Sequence, residues 1–130
     1  MSWPFGLAFD SASDLFEADT GSDKINEFVN NSGVLSTNPT VFASRLNRPT
    51  GLAFNGAGDL FEADWGSGNI YEFINNGGNL STNPTVFASG LVQTTGLAFQ
   101  GIELPIPEPS TWALVGLGLS ALLVFRRRKA

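Results

Sequence analysis

The segment GLAFDSASDLFEAD, residues 6–19, returns as GLAFNGAGDLFEAD at residues 51–64. Working outward from these two copies, Pro4–Arg48 aligns with Pro49–Gln93 at a period of 45 residues. The alignment needs no gap, and about two thirds of the positions are identical. Leu35–Ser44 returns as Leu80–Ser89, and a third copy opens near Thr94 with Gly96-Leu97-Ala98-Phe99 before breaking off near Gly101. Identity this high between neighbouring copies indicates recent duplication, and a repeat of this length sets the architecture before any local reading does.

Each copy reads as four short strands separated by turn chemistry. Gly-Leu-Ala-Phe is the first, ended by Asp10–Ser13 or Asn55–Gly58. Leu15–Ala18, with its counterpart one repeat later, is the second, ended by Asp-x-Gly-Ser at Asp19–Ser22 and Asp64–Ser67. Ile25–Val29 and Ile70–Ile74 form the third, closed by Asn-Asn-x-Gly; Thr40–Ala43 and Thr85–Ala88 form the fourth, after the breaker Asn-Pro. Short β-branched and aromatic runs between Gly, Asn and Asp turns predict antiparallel meanders. Four strands in about 40–45 residues is the measure of a propeller blade. The fold class expected is therefore all-β: two four-stranded blades, residues 4–48 and 49–93, the start of a third at 94–103, and a C-terminal transmembrane helix.

The pattern Pro-x-Gly-Leu-Ala-Phe, then Asp-Leu-Phe-x-Ala-Asp-x-Gly, then Ile-x-x-Phe, resembles NHL-type blades and the related gluconolactonase and strictosidine-synthase-like propellers. The resemblance spans residues 4–100 and implies a propeller body. Glu17 and Glu62 depart from it, standing where such blades have an apolar residue. Two blades and a fragment do not close a ring. Self-association to complete a propeller, an open two-blade unit and a non-functional remnant are the three expected outcomes.

Candidate ligands are few. Glu17 and Glu62 lie on strands and share a face with Leu15 and Asp19, or Leu60 and Asp64, by alternation. A carboxylate repeated there could line a channel and hold a cation such as Ca2+; otherwise it is a partly exposed edge residue, or one in an incomplete ring where burial never arises. Asp19–Asp23 and Asp64–Gly68 resemble calcium loops superficially but lack the full ligand series, so the Asp is expected to bond the backbone amides of a tight turn. Trp65 and Tyr71 replace Thr20 and Asn26 of the first copy. Packing between blades is the expectation for both, with stacking on sugar rings the alternative. The gluconolactonase-like families hold a divalent metal on channel carboxylates and Asn; only isolated carboxylates match here, so that activity is not carried over and no cofactor is expected.

Cysteine and histidine are both absent. That removes thiolate and imidazole chemistry, a Ser-His-Asp triad and a conventional zinc site. The net charge of −5 hides an asymmetry, because four of the seven cations close the chain. Upstream, Lys24, Arg45 and Arg48 stand against all twelve acids, a net charge near −9. So acidic a body repels nucleic acid and leaves calcium-bridged contact with acidic polymers open.

Pro105–Ala130 reads PIPEPSTWALVGLGLSALLVFRRRKA. Residues 110–125 carry no charge and, as a helix, would span about 24 Å. Trp112 suits the outer interface, and Arg126, Arg127, Arg128 and Lys129 serve as a cytoplasmic stop that sets the body on the opposite side of the membrane. The prolines of the 104–109 linker favour an extended, accessible stretch. Pro107-Glu108-Pro109-Ser110, an apolar span and an Arg-rich end (residues 107–130) together resemble the PEP-CTERM sorting signal of exopolysaccharide-producing Gram-negative bacteria. That resemblance implies exosortase, a membrane cysteine protease, as partner, with cleavage near Pro-Glu-Pro. Residues 1–3 lead into the repeat without an apolar leader, which makes a truncated gene the economical expectation.

The function expected is that of an exported, non-enzymatic surface or matrix protein. It passes through the bacterial inner membrane to the cell surface or beyond, with extracellular polysaccharide as a candidate partner. A metal-dependent lactonase-like hydrolase fragment is the alternative.

Overall fold

The computed structural model describes residues 1–99. The predicted linker, membrane helix 110–125, basic end and sorting motif lie outside the described residues, as do residues 100–103 of the partial third copy.

Two four-stranded antiparallel sheets make up the body. Sheet one orders β1 (Pro4–Phe9), β2 (Leu15–Asp19), β3 (Lys24–Phe28) and β6 (Thr40–Ser44) side by side. Sheet two repeats the order with β7 (Pro49–Phe54), β8 (Leu60–Asp64), β9 (Asn69–Phe73) and β12 (Thr85–Ala88). Both are simple meanders in which each strand pairs with the next of the four. Between the third and fourth strands of each sheet lies a small separate ladder. These ladders pair β4 (Asn30–Asn31) with β5 (Val34–Leu35), and β10 (Asn75–Asn76) with β11 (Asn79–Leu80). They were not anticipated, because two-residue strands carry no periodicity. Among the described residues the two sheets form no closed ring.

The expected strands hold in number and order, with boundaries moved by a residue or two. The first strand begins at Pro4 and Pro49 rather than at the glycine, with an irregularity in pairing inside it, between Pro4 and Gly6 and between Pro49 and Gly51. Asx turns account for the first hairpin of each copy. Asp10 Oδ1 accepts from the amides of Ala12 and Asp14, both at 2.9 Å. Asn55 Oδ1 accepts from Ala57 at 3.0 Å and Asp59 at 2.9 Å. Asp14 and Asp59 then reach across to the amides of Asn30 and Asn75, tying the end of the third strand to the start of the second.

The core lies between the sheets. Alternation along β2 sends Phe16 and Ala18 toward sheet two, where Leu52, Leu60 and Phe73 meet them. Ile25, Leu60, Ala18 and Phe73 are all fully buried. Phe16 stands edge-on to Phe42 and Phe54, both with ring centroids 5.2 Å apart. The inner strands β1 and β7 approach closely at glycine: a methyl on Gly6 would run into the carbonyl oxygen of Thr50.

Residues 94–99, the described start of the third copy, pack on the far face of sheet two. A methyl on Gly51 would lie 3.0 Å from Gly96 Cα, and Phe99 lies 4.7 Å from Phe61, centroid to centroid. No ladder forms there, because the Asp-Leu-Phe-Glu-Ala-Asp segment that should pair with this strand does not follow it in the sequence.

Candidate functional site

The Asp-x-Gly-Ser turns join the second and third strands of each sheet and place their carboxylates beneath the chain that enters the first strand. Asp19 Oδ1 accepts from the amides of Trp3 at 2.8 Å and Gly21 at 3.1 Å. Asp64 accepts from the Ser67 amide and hydroxyl through Oδ1, at 2.9 and 2.7 Å, and from the Asn47 amide at 2.7 Å through Oδ2. The turn reading holds. The long-range bonds to Trp3 and Asn47 are additional, and they tether the lead-in of each first strand. Burial would raise the Asp19 pKa, but donation from Trp3, Ser22, Ser2 and Gly21 outweighs it and holds the carboxyl at about 2.

Glu17 and Glu62 are both buried, not partly exposed edge residues. Glu17 accepts from Asn26 Nδ2 at 3.0 Å. Glu62, its counterpart, lies between the sheets on the same face as Leu52, and among the described residues neither carboxyl oxygen has a partner. Tyr71 occupies the cross-strand position that Asn26 fills in sheet one, and its hydroxyl is engaged with Asn69 Nδ2 at 3.1 Å. Burial, with the Asp64 charge a smaller contribution, pushes the Glu62 pKa up to about 9. At neutral pH this carboxyl is therefore uncharged. Among the described residues no three acidic side chains converge as a metal-binding group, so Glu17, Glu62, Asp19 and Asp64 are distributed along the strands instead of gathered.

A groove of about 360 Å3 opens where the first strands begin. Its walls are Trp3 from the lead, Phe5 and Arg48 from the two ends of the first copy, Thr50 and Trp65 from the second, and Thr95 from the third. The Arg48 guanidinium lies 4.0 Å from the centre of the Trp65 ring, a cation–π contact on one wall. Thr20 Oγ1 donates to the Pro49 carbonyl at 2.5 Å, and Thr50 Oγ1 sits 2.8 and 2.7 Å from the carbonyls of Ala63 and Thr94. These hydroxyls fix the floor. Aromatic faces, one guanidinium and few free polar atoms suit a flat, partly apolar ligand with an acceptor at its edge.

Of the two aromatics that distinguish the second copy, Tyr71 packs against the core between the sheets, as expected. Trp65 instead lines the groove, half-buried. Trp3, Phe5 and Arg48 were not singled out in the sequence. A signal was available: Trp3 and Arg48, Phe5 and Thr50, and Thr20 and Trp65 are equivalent pairs that differ inside a repeat otherwise largely identical.

Comparison with known families adds the C-terminal part. The family model described as the PEP-CTERM protein-sorting motif matches residues 105–129. This chain carries a PEP-CTERM sorting motif. Pro107, Glu108, Pro109 and Ser110 and the cations Arg126–Lys129 fall within that match. A PEP-CTERM motif implies an exported protein sorted by exosortase. The NHL-type resemblance of the body has no family match behind it, and no curated protein matches the chain.

Proposed function

We propose that the protein is a cell-surface or matrix binding module, non-enzymatic, built of propeller-type blades and released from its membrane segment by exosortase near Pro107-Glu108-Pro109. The PEP-CTERM motif at 105–129 is the observation that carries this reading. The two meander sheets stacked at a 45-residue period support the blade assignment. The aromatic groove supports a binding role. It offers surfaces for stacking and one cation, and no nucleophile–base pair lines it. Extracellular polysaccharide is the ligand class that this destination and these side chains suit, with sugar rings on Trp3 and Trp65 and a carboxylate or sulfate on Arg48.

Three experiments test the reading. Replacing Glu108 and Pro109 by Ala in the exporting host should leave full-length protein in the membrane fraction; unaltered release would refute exosortase processing. Titrating the full chain with a uronate oligosaccharide while following tryptophan fluorescence should give a saturable change that Trp65→Ala weakens at least tenfold. Metal-dependent turnover of a lactone by the same preparation would overturn the non-enzymatic assignment.

A further inference from the structure

Sheet one has two apolar faces, and among the described residues only one is covered. The uncovered face carries Leu7 and Phe9, which are 62 and 59% exposed. One repeat later Leu52, the counterpart of Leu7, is 6% exposed because sheet one lies upon it. Leu7, Phe9, Leu15 and Phe28 are identical in type to Leu52, Phe54, Leu60 and Phe73. The uncovered surface therefore has a partner of known shape: the one formed inside the molecule by Phe16, Ala18 and Phe42.

That partner surface recurs on the far face of sheet two. Phe61 and Phe87 pack edge-on at 5.1 Å and 89°, reproducing Phe16 and Phe42 at 5.2 Å and 86°. Phe61 and Phe99 stand at 4.7 Å, as Phe16 and Phe54 do at 5.2 Å. Phe42 goes on to meet Phe73 at 5.3 Å, whereas Phe87 is left 61% exposed.

We propose that the chain binds a second copy of itself head to tail, the uncovered face of sheet one seating on the far face of sheet two as sheet two seats on sheet one. This rests on the blade reading of the sheets and is independent of whether the groove binds anything. Residues 94–99 set the manner of docking. Gly96–Phe99 has the same sequence as Gly6–Phe9 and lies where β1 of the incoming copy would lie. Association exchanges this resident strand for the incoming one, glycine for glycine at the close approach to Gly51. The incoming strand brings a whole sheet with it, and Phe87 then gains the ring it lacks. Glu17, buried further by docking, already has its hydrogen bond from Asn26. The contact is heterologous, so it propagates until a ring closes or a filament extends.

The test uses the full chain in detergent micelles, with mass followed by light scattering across a hundredfold concentration range. Wild type should grow in mass with concentration. Leu7→Arg and Phe87→Arg change exposed side chains, and each alone should associate at least tenfold more weakly. Mixed, the two variants should form a one-to-one dimer that grows no further, since each supplies one intact face. That complementation also shows that both variants are folded. Phe99→Ala loosens the resident strand and should tighten association several-fold. Wild type that stays monomeric throughout would overturn the proposal. So would wild-type behaviour of Phe87→Arg, which would mean face-to-face pairing through sheet one. Association that survives both Arg substitutions, as contact through residues 110–125 would, or a mixture without dimer, would overturn it too. A failed saccharide titration or sorting experiment leaves the complementation result untouched.

Discussion

Glu17 and Glu62 hold the same position in two nearly identical sheets and differ by one hydrogen bond. Glu17 has Asn26; Glu62 has Tyr71 in its place and, among the described residues, no partner for either oxygen. Glu62 therefore keeps its proton in the folded protein up to about pH 9, whereas an exposed carboxyl releases it near 4.5. Between those values the folded state binds one more proton than the unfolded state, so stability falls as pH rises. The decline should reach about 1.4 kcal/mol per pH unit. Urea unfolding at pH 5, 7 and 9 should show this slope in the wild type and a nearly flat profile in Glu62→Leu, which should also be the more stable at pH 9. Equal slopes would refute the buried, neutral carboxyl. Asp19 behaves oppositely. Held at about 2 against an ordinary 3.8, it stabilises the fold above that range and ceases to do so as pH falls through about 2. Asp64→Ala strips acceptors from the Asn47 and Ser67 amides and should cost about 1–3 kcal/mol in the same assay. The sequence exposed both carboxylates as oddities. It could not show that one of them had lost its donor, because the loss lies on a neighbouring strand.

At the scale of strands and turns, the two copies solve the same backbone with different residues. Ser13, Asp23, Ser32 and Arg45 have positive φ, at 67°, 59°, 54° and 65°. Their counterparts are Gly58, Gly68, Gly77 and Gly90. A side chain in that region costs about 1–2 kcal/mol, partly offset by the greater freedom of glycine in the unfolded chain. Ser32→Gly should therefore raise stability by about 0.5–1 kcal/mol, measurable as a shift in urea midpoint, whereas Gly77→Ser should lower it by as much. The glycines of the inner strands answer to crowding, not to φ. Gly6→Ala drives a methyl into the Thr50 carbonyl and should cost about 1–3 kcal/mol, whereas Gly96→Ala enters open space and should change little. Equal effects at the two positions would show that β1 and β7 do not approach as described.

For the whole molecule, the PEP-CTERM motif at 105–129 implies export of the body and its sorting by exosortase. Under the proposed export, with the basic end expected on the cytoplasmic side, replacing Arg126, Arg127, Arg128 and Lys129 by Ser should abolish the charge bias that orients it. Protease added outside the inner membrane of spheroplasts would then reach the extreme C-terminus in a substantial fraction of the protein; continued protection would argue against the orienting role. Released from those cations, the body is strongly acidic. Arg48 is thus one of very few positive points on it, and it stands at the groove.

The sequence alone determined the period, the four-strand meander and its turns. Each depends on local patterning: alternation along a strand, Asp, Asn and Gly at bends, and close identity between copies. It also determined the sorting motif, whose elements are contiguous in the chain. The groove was settled only by the tertiary structure. Trp3, Arg48 and Trp65 come together because β1 and β7 lie side by side, and nothing local in the chain states that adjacency. The same is true of Glu62. Its position on a strand was plain, but burial depends on what a second sheet lays over it, and that is a property of packing.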